Sequence, residues 1–323
     1  MTTLRYQQQS FELKAGQSVL DCLAGHGVPV PHSCRAGVCQ TCLMRATAGN
    51  PPAASQAGLK DSLKLANYFL ACVCEPKTDL TVALPDDAQS SIHAIVRKLE
   101  LLNHDIMRVE LETSLPLYYR AGQFINLVHY SIHVRSYSIA SVPRLDKHIQ
   151  LHVRRLPQGR VSGWIHEELQ IGQNIEIRGP AGDCIYVPGK SEQALLLIGT
   201  GSGLAPLYGI LRDALDRGHS GPIRLFHGSR DLHGLYLIDE LRELERRFPN
   251  FAYYPCLSGA NVPPGYTSGR VHEAALRETP ALKGWRVFLC GHPDMVKITR
   301  KKAFLAGASM QDIQADAFNV SHA

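Results

Sequence analysis

Four cysteines have the spacing of ligands to an iron–sulfur cluster. Cys34, Cys39 and Cys42 share one short segment at the spacing C-x4-C-x2-C, and Cys72 follows Cys42 after 29 residues. Thiolates at this spacing ligate [2Fe–2S] clusters. One tight loop must direct three thiolates at two irons, and the small residues Ala36 and Gly37 let backbone N–H groups approach the sulfides. The sequence therefore predicts a cluster whose fourth thiolate comes from a distant element.

Two other uses of these cysteines compete with the cluster. Cys39, Cys42, Cys72 and Cys74 could form a zinc site, but such sites usually use two spaced pairs, and here the second pair is C-x-C. Disulfides are disfavoured because the first residues lack the apolar segment of a secretion signal. For the fourth cluster position, Cys74 is the rival of Cys72.

The elements that must position these cysteines are those of a small β-grasp domain. Residues 2–13 alternate in polarity and predict two short strands, and Ser18 is the predicted N-cap of a helix that ends near His26. Further strands are predicted at 69–73 and 79–84. The polar segment 85–91 is predicted to be a linker.

Residues 1–88 resemble a plant-type ferredoxin domain. The matching positions are Cys34-Arg-Ala-Gly, Leu70-x-Cys72, Pro76 and Asp79-Leu80. The resemblance implies that Cys72 is the fourth ligand. Val38 and Gln40 depart from the photosynthetic ferredoxins, which tend to carry Ser at these positions. We expect the loss of hydroxyl donors near the sulfides to change the reduction potential rather than abolish the cluster.

The composition argues against a nucleic-acid-binding protein and against a membrane-spanning protein. The chain has 323 residues, of which 45% are hydrophobic and 20% charged, as expected of two or three folded domains. Its net charge of +5 is spread over interleaved bases and acids, which is not a nucleic-acid signature but could suit an acidic protein partner. The longest apolar run, near 194–198, is far too short to span a membrane.

Nine cysteines without a secretion signal predict a reducing, cytoplasmic location. Three of them, Cys22, Cys184 and Cys256, belong to no ligand pattern and are interpreted as packing residues.

The rest of the chain contains two segments with different predicted secondary structure. Residues 92–188 contain short strand-like segments separated by Gly and Pro, which predicts an antiparallel barrel; the segments are 92–102, 107–112, 123–128, 135–140, 149–153 and 174–178. Residues 191–323 alternate strands (194–199, 222–228, 251–257, 286–290, 312–317) with helices (204–218, 235–248, 295–305). This pattern predicts a doubly wound parallel α/β domain. The expected fold is therefore multidomain, α+β and α/β.

One barrel strand carries Arg135-Ser136-Tyr137-Ser138, which resembles the R-x-Y-S flavin motif of the ferredoxin–NAD(P) reductase superfamily. The resemblance implies that Arg135 pairs with a flavin phosphate. It also implies that Tyr137 lies against the isoalloxazine ring and that the Ser138 hydroxyl is near N5, where hydride arrives. Ser138 is therefore a candidate catalytic residue.

A second segment follows in the order expected of this superfamily. It comprises His152, Val153, Arg154, Gly159, Val161 and Ser162. In relatives, backbone N–H groups at the start of a helix here hold the flavin pyrophosphate, and Gly159 and Ser162 match the Gly-x-x-Ser pattern. A Gly turn followed by a Ser N-cap would look the same without a ligand, so it is the presence of both segments that predicts a flavin. FAD is preferred to FMN by analogy with relatives that carry an N-terminal ferredoxin.

A glycine-rich loop follows a buried strand and opens a helix. Its residues are Gly199, Thr200, Gly201, Ser202, Gly203 and, after Leu204, Pro206. Leu204 stands where the third Gly of G-x-G-x-x-G would fall. The loop instead resembles G-x-G-x-x-P, the nicotinamide nucleotide loop of the same superfamily, in which the helix N-terminus faces the pyrophosphate.

Cys290-Gly291-His-Pro293 ends another strand and resembles the C-G-x-P motif beside the nicotinamide. The resemblance implies that Cys290 positions the ring rather than reacting covalently, and makes Cys290 the second catalytic candidate. Phe318 lies near the C-terminus, where relatives place an aromatic residue close to the flavin.

The choice of nucleotide depends on cations for a 2′-phosphate. NADP-dependent plant-type reductases carry Ser-Arg after the strand equivalent to 251–257, whereas here Ser258 precedes Gly259. Arg230, after Ser229, is a possible substitute. The absence of the family's arginine favours NADH.

Together the motifs resemble the single-chain ferredoxin–FAD–NAD(P)H reductase components of bacterial multicomponent oxygenases. The resemblance implies that NADH delivers two electrons as hydride, that FAD releases them singly, and that the cluster passes them to a protein partner. That partner would be the terminal oxygenase, either a ring-hydroxylating dioxygenase or a diiron monooxygenase, and Arg35 beside Cys34 is a candidate contact. We expect the reductase to be a monomer.

Two alternatives remain. The same modules could feed a non-oxygenase acceptor such as a deoxysugar-synthesis dehydratase. A non-enzymatic electron carrier or redox sensor is disfavoured by the intact flavin and nucleotide motifs.

Overall fold

The structure, a computed structural model, describes residues 2–37, 40–85, 91–129 and 133–318. The chain divides into two units, Met1–Ser90 and Ser91–Ala323. No helix within the described ranges has the length and apolar character needed to cross a membrane.

The first unit is built on a mixed five-stranded sheet in the order β2-β1-β5-β3-β4. The strands are β1 Thr2–Tyr6, β2 Gln9–Leu13, β3 Leu43–Ala48, β4 Tyr68–Leu70 and β5 Leu80–Ala83. Two short helices, α1 Val19–Gly25 and α2 Asp61–Leu65, accompany them. Because β1 pairs in parallel with β5 and antiparallel with β2, the two ends of the unit meet in the middle of the sheet, as a β-grasp requires.

Ser18 begins α1 as predicted. Its side chain accepts a hydrogen bond from the backbone N–H of Asp21 and satisfies one free donor of the first turn. The predicted strand 69–73 is too long, because the chain leaves the sheet after Leu70 and forms a 3-10 turn over Ala71–Val73. This turn carries Cys72 out of the sheet. Strand β3 and helix α2 were not predicted, because their residues show no clear periodicity.

The second unit begins with six antiparallel strands in the order β10-β7-β6-β11-β8-β9. They are β6 Ser91–Leu101, β7 Ile106–Thr113, β8 Phe124–His129, β9 His133–Ser138, β10 Ile149–Arg154 and β11 Asn174–Ala181. A bridge between Ile139 and Leu151 connects the two end strands, so the sheet curls into a barrel around an aliphatic core. Helix α3, Arg160–Glu167, packs its Val161, Trp164 and Ile165 against that core.

The same unit continues with a parallel sheet in the order β15-β14-β13-β12-β16-β17. Its strands are β12 Leu195–Thr200, β13 Ile223–Ser229, β14 Phe251–Leu257, β15 Thr267–Ser268, β16 Arg286–Gly291 and β17 Ile313–Ala317. The helices are α4 Leu204–Asp216, α5 Ile238–Arg247, α6 Val271–Glu278 and α7 Pro293–Leu305. Strand order reverses at β12, which places the carboxyl ends of β12 and its neighbours at a switch point where such sheets bind ligands.

The predicted fold class is confirmed in both units. The strands 251–257 and 312–317 were placed to within a residue. For 251–257 the reason is its largely apolar composition, which is typical of a buried parallel strand. Helix α6 and strand β15 were not predicted. Residues 86–90, inside the predicted linker, lie outside the described residues, and so do Val38, Cys39 and the last five residues.

Candidate functional site

The carboxyl edge of the parallel sheet opens into a cleft of about 540 Å³. Thr200 and Gly201 of the glycine loop line it, as do Ser229 and Arg230 after β13 and Ser258 after β14. Its volume is within the usual range for small-molecule and cofactor sites. The cleft therefore collects the nucleotide residues predicted from three separate parts of the sequence.

Three glycines of the loop lie in close contact with neighbouring groups. A Cβ on Gly203 would lie 2.3 Å from the carbonyl oxygen of Cys290, so only glycine lets the loop approach β16 this closely. Gly201 has a φ of +53°, and a Cβ there would meet the Arg154 guanidinium at 3.3 Å. Gly199 is also packed too closely for a side chain, against Leu207. Ser202 lies in the 3-10 turn over Gly201–Gly203, and Pro206 is buried in the first turn of α4. This backbone approach is what a pyrophosphate-binding loop needs.

Arg154 extends from barrel strand β10 to this loop. Its Nε donates to Oδ2 of Asp105 at 2.7 Å, and both side chains line the cleft. The sequence assigned Arg154 to the flavin segment, whereas its side chain lies beside the nucleotide loop. Asp105 was not predicted as a site residue.

Ser138, at the end of barrel strand β9, meets the half-buried carboxylate of Asp316, on strand β17 of the parallel sheet. The Ser138 hydroxyl donates to Oδ2 of Asp316 at 2.8 Å. Burial raises the pKa of Asp316, while the hydrogen bond from Ser138 acts in the opposite direction. The pair fixes the hydroxyl of the residue predicted to face flavin N5. Asp316 was missed because the two residues are 178 positions apart and only strand order brings them together.

Cys290 ends β16 beside the same pair. Its Sγ lies 3.8 Å from Sγ of Cys184, and its side chain is fully buried. Burial raises the pKa of Cys290 well above its ordinary value, so the thiol stays protonated. This matches a positioning role rather than a nucleophilic one. Cys184, interpreted from sequence as a packing residue, is the direct neighbour of this thiol.

The turn after Cys290 is tied to the glycine loop and to the C-terminal strand. Gly291 has a φ of +121°, and its carbonyl accepts from Phe318 N at 2.9 Å. The backbone N–H of His292 donates to Oγ1 of Thr200 at 3.2 Å, and Pro293 then begins α7. These contacts hold Phe318 next to the Cys290 turn, and its predicted place beside the flavin stays a prediction.

On β9, two residues of the predicted flavin motif face outward. Arg135 and Ser136 are exposed, and Tyr137 is half-buried against the barrel core. Arg135 donates to the carbonyl of Val134 at 2.8 Å, and no carboxylate among the described residues pairs with it. The Ser136 hydroxyl donates to Asn126 at 2.6 Å. An exposed guanidinium beside an aromatic ring on an edge strand fits a flavin phosphate and ring.

The second flavin segment forms the start of α3. A Cβ on Gly159, the N-cap, would lie 2.3 Å from Oγ of Ser162, so a side chain there would displace this hydroxyl. That hydroxyl accepts from Leu156 N at 3.2 Å and donates to Gly159 O at 3.4 Å. Val153 and Val161 are core residues. The turn therefore presents backbone rather than side chains at the helix N-terminus, which suits a pyrophosphate.

His152 has a different environment from the one the flavin segment suggests. It is buried, and its Nδ1 lies 3.3 Å from the hydroxyl of Tyr236. Burial lowers the pKa of His152 to about 3, so the ring is neutral. Its side chain contributes to packing between barrel and parallel sheet.

In the first unit, the loop with Cys34 packs against the turn with Cys72. Gly37 has a φ of +72°, and a Cβ there would meet the Val73 side chain at 3.3 Å. The backbone N–H of Ala36 donates to Sγ of Cys34 at 3.4 Å, a donor of the kind that cluster sulfurs accept. Arg35 donates to Asp21 at 3.2 Å.

Cys72 and Cys74 differ in what their thiols contact. Burial raises the pKa of Cys42 to about 11, and the neighbouring Cys72 thiol adds to the rise, so these two thiols lie close to each other. Cys74 is fully buried in the core, and burial raises the pKa of its thiol to about 12. Among the described residues no three potential ligands form a metal-binding group, and Cys39 is not described.

Family models cover most of the chain. Residues 3–77 match a 2Fe-2S iron-sulfur cluster binding domain, residues 93–186 an oxidoreductase FAD-binding domain, and residues 197–301 an oxidoreductase NAD-binding domain. The FAD-binding and NAD-binding matches contain the two flavin segments and the glycine loop described above.

Relatives align along nearly the full length. A ferredoxin–NAD(P)+ reductase component of naphthalene 1,2-dioxygenase/salicylate 5-hydroxylase systems from Ralstonia is 32% identical, covering 94% of each chain. The reductase subunit of an aromatic O-demethylase from Amycolatopsis is 34% identical, covering 88% of this chain and 89% of the relative. The crystal structure of an Amycolatopsis cytochrome P450 reductase superposes with a TM-score of 0.69 at 31% identity, covering 98% of this chain and 99% of the other. This chain thus belongs to the family of ferredoxin–NAD(P)+ reductase components, electron-transfer oxidoreductases that bind NAD, FAD and a [2Fe–2S] cluster.

Proposed function

We propose that this reductase passes electrons from NADH through FAD to its [2Fe–2S] cluster and on to the terminal oxygenase of a multicomponent system. The acceptor would be a ring-hydroxylating dioxygenase or a diiron monooxygenase. The full-length similarity to reductase components of oxygenase systems supports this acceptor. The Ser138–Asp316 contact, beside Cys290 and the nucleotide cleft, is the observation that supports a hydride-accepting centre.

We assign roles to residues as follows. Cys34, Cys39, Cys42 and Cys72 ligate the cluster, and the Cys42–Cys72 contact supports the choice of Cys72 over Cys74. Arg135, Tyr137 and the N-terminus of α3 hold FAD. The residue contacts that support NADH binding are those of the loop Gly199–Gly203 with the turn after Cys290.

The cofactors supply the redox chemistry, and the side chains of Ser138, Asp316 and Cys290 position them. A bound flavin takes the two electrons of a hydride and releases them singly, and the cluster carries one at a time. The Ser138 hydroxyl donates its one proton to Asp316, so its oxygen would offer only acceptor lone pairs to a group at the hydride-accepting edge. The buried Cys290 thiol fills space where a nicotinamide must stack and, being protonated, adds no charge there.

The proposal also covers the domain bounds, the oligomeric state and the cellular location. We propose three domains, 1–88, 92–188 and 191–323, in a monomer. A cytoplasmic location fits thiolate ligands and NADH, which belong to reducing compartments.

The proposal is tested by anaerobic titration of the purified protein with NADH, followed by optical and low-temperature EPR spectra. We expect the flavin absorbance to bleach and a rhombic [2Fe–2S] signal to appear. A flavin that does not bleach with NADH or NADPH would refute the reductase assignment and favour an electron carrier or sensor.

The acceptor is tested separately. The NADH-reduced protein is mixed with a panel that contains a ring-hydroxylating dioxygenase, a diiron monooxygenase and a deoxysugar-synthesis dehydratase, and reoxidation of its cluster is followed. Reoxidation by an oxygenase supports the proposal, whereas reoxidation by the dehydratase alone would contradict it.

A further inference from the structure

A groove of about 600 Å³ runs between helix α7 and strand β17. Its helix wall is formed by Lys297, Arg300, Lys301 and Phe304, which have the i, i+3, i+4, i+7 spacing of one helix face. Met310, beyond the end of the helix, lines it as well. None of these side chains lines the nucleotide cleft, so this surface, the α7 groove, is a separate feature of the second unit.

Small side chains on β17 leave the α7 groove open. Ile313, Ala315 and Ala317 alternate along the strand and therefore share one face. Ile313 packs in the core with Val296 of α7, whereas the two alanines that line the groove are too short to fill it. Because β17 is the last strand of its sheet, its outer edge pairs with no other strand in the described part of the chain. Such an edge can receive an extended segment of another protein.

The α7 groove carries positive charge that the protein does not neutralise. Within the described ranges, the side chains of Lys297, Arg300 and Lys301 form no ion pair, and no acid lines the groove. Asp294, the one acid of α7, lines the nucleotide cleft instead. Three exposed cations on one concave surface attract an acidic partner. A second copy of the chain would bring like charges together, so the groove does not suit self-association.

Two apolar side chains accompany these cations. Phe304 is 52% exposed and Met310 is 43% exposed, and both line the α7 groove. Their burial against an apolar side chain of a partner would stabilise a complex. The groove therefore fits a segment in which acidic side chains accompany apolar ones.

One end of the α7 groove adjoins the proposed hydride-accepting centre. Pro293 lines the groove and begins α7 directly after the Cys290 turn. Ala317 lines it too, and directly follows Asp316, which accepts from the Ser138 hydroxyl. A protein that receives electrons from a reductase must be held close to its redox groups. The groove is placed to do this.

We propose that the α7 groove binds an acidic, partly apolar segment of the protein that accepts electrons from this reductase. The inference rests on the proposed function, because it gives the acceptor of that function a docking site. The cations attract the segment and the two apolar side chains anchor it, so the groove sets the affinity for the acceptor. It leaves the hydride transfer itself unchanged.

Two pairs of adjacent residues on α7 supply variants with matched controls. Lys301 and Phe304 line the groove, whereas their neighbours Lys302 and Leu305 are exposed but do not line it. Lys301→Gln and Lys302→Gln remove the same charge, and Phe304→Ser and Leu305→Ser each remove an exposed apolar side chain. A difference within a pair therefore reports on the groove rather than on net charge or overall surface hydrophobicity.

The first test follows electron transfer in the full-length protein loaded with FAD and the cluster. Each variant is reduced with NADH and mixed with increasing amounts of the panel oxygenase that reoxidises the wild type. The acceptor concentration at half-maximal rate should rise about 2- to 5-fold in Lys301→Gln, the loss of one exposed ion pair, and about 10-fold in Phe304→Ser. The maximal rate, the reduction of ferricyanide and both control variants should match the wild type. An unchanged acceptor dependence in both groove variants would overturn the docking site.

The second test measures binding without electron transfer. Fluorescence anisotropy compares a labelled peptide of alternating Glu and Leu with one of alternating Lys and Leu on the oxidised protein. The acidic peptide alone should bind, and more weakly in Lys301→Gln and Phe304→Ser than in their controls. Equal binding by all variants, or no binding, would overturn the docking site. So would a wild-type dimer that Lys301→Gln separates, or binding of phosphatidylserine vesicles in place of the peptide.

The two proposals fail in different ways. A flavin that neither NADH nor NADPH reduces, or a reduced protein that no panel protein reoxidises, would refute the proposed function. The peptide measurement uses the oxidised protein, so it would still decide whether the α7 groove binds an acidic segment.

Discussion

Asp316 is a half-buried acid whose negative charge is disfavoured by desolvation, so the stability of the folded protein should depend on pH. Because burial raises its pKa, the folded protein retains a proton that the unfolded chain has lost. The stability from that proton is fully present below the unfolded pKa of about 3.9 and is lost as pH rises through the folded pKa. Asp316→Asn cannot titrate. We therefore expect the melting temperature of this variant, relative to wild type, to increase from about pH 4 to pH 7.

Thermal denaturation of the FAD-loaded proteins across this pH range measures the effect. Asp294→Asn is the control, because its side chain is 83% exposed and should follow the wild-type profile. Parallel profiles for wild type and Asp316→Asn would show that the buried carboxyl does not titrate as argued.

Replacing Cys72 and replacing Cys74 by Ser should have different effects on the cluster. Cys72→Ser should abolish the visible absorbance and EPR signal of the cluster, because the variant lacks the thiolate next to Cys42. Cys74→Ser should keep the cluster and lower the free energy of unfolding by about 1–3 kcal/mol, since it places a hydroxyl in a fully buried position. Iron content, EPR and denaturant unfolding of both variants give the answer. A cluster lost in Cys74→Ser and retained in Cys72→Ser would reverse the assignment.

At the level of elements, the site depends on how closely the glycine loop approaches β16. Gly203→Ala would place a Cβ 2.3 Å from the Cys290 carbonyl and force the two apart. We expect about 1–3 kcal/mol of destabilisation and a raised KM for NADH. Gly163→Ala in α3 is the matched control, because a Cβ there meets nothing within 4 Å and alanine favours a helix. Chemical denaturation and steady-state kinetics would test both, and a Gly203→Ala variant as stable as wild type would refute the packing argument.

The sequence predicted those elements whose pattern is local. The strand 251–257 is a buried apolar run between turns, and the Ser18 helix carries its own N-cap, so both were found. The predicted strand 69–73 was wrong at its end, because a 3-10 turn there depends on tertiary contacts of Ala71 and Cys74. The cofactor-binding residues assigned from short motifs stay predictions.

Contacts between distant elements were beyond prediction. Asp316 and Cys184 have no pattern of their own in the sequence, and only the order of the strands brings them to Ser138 and Cys290. Arg154 was assigned to the flavin by its segment, whereas its ion pair with Asp105 places it at the nucleotide cleft. The side-chain direction at a strand end cannot be read from the neighbouring residues alone.

At the scale of the whole molecule, the two redox groups, flavin and cluster, predict a fixed electron capacity. A flavin accepts two electrons and a [2Fe–2S] cluster one, so each chain should accept three, supplied by about 1.5 equivalents of NADH. Cys39→Ser, which removes a proposed cluster ligand, should lower this capacity to about one equivalent while leaving NADH-to-ferricyanide reduction intact, because that reaction needs only the flavin. The same variant should no longer reduce a one-electron protein acceptor.

Anaerobic titration of both proteins with dithionite and with NADH measures these capacities. Dithionite reduces every redox group of the protein, whereas NADH reduces only those that receive electrons from the hydride-accepting centre. Equal capacities for the two reductants in the wild type would show that the cluster is filled through the flavin. A wild-type capacity of one NADH beside three electrons from dithionite would mean that the cluster is present but is not supplied by the flavin, which would contradict the proposed order of transfer.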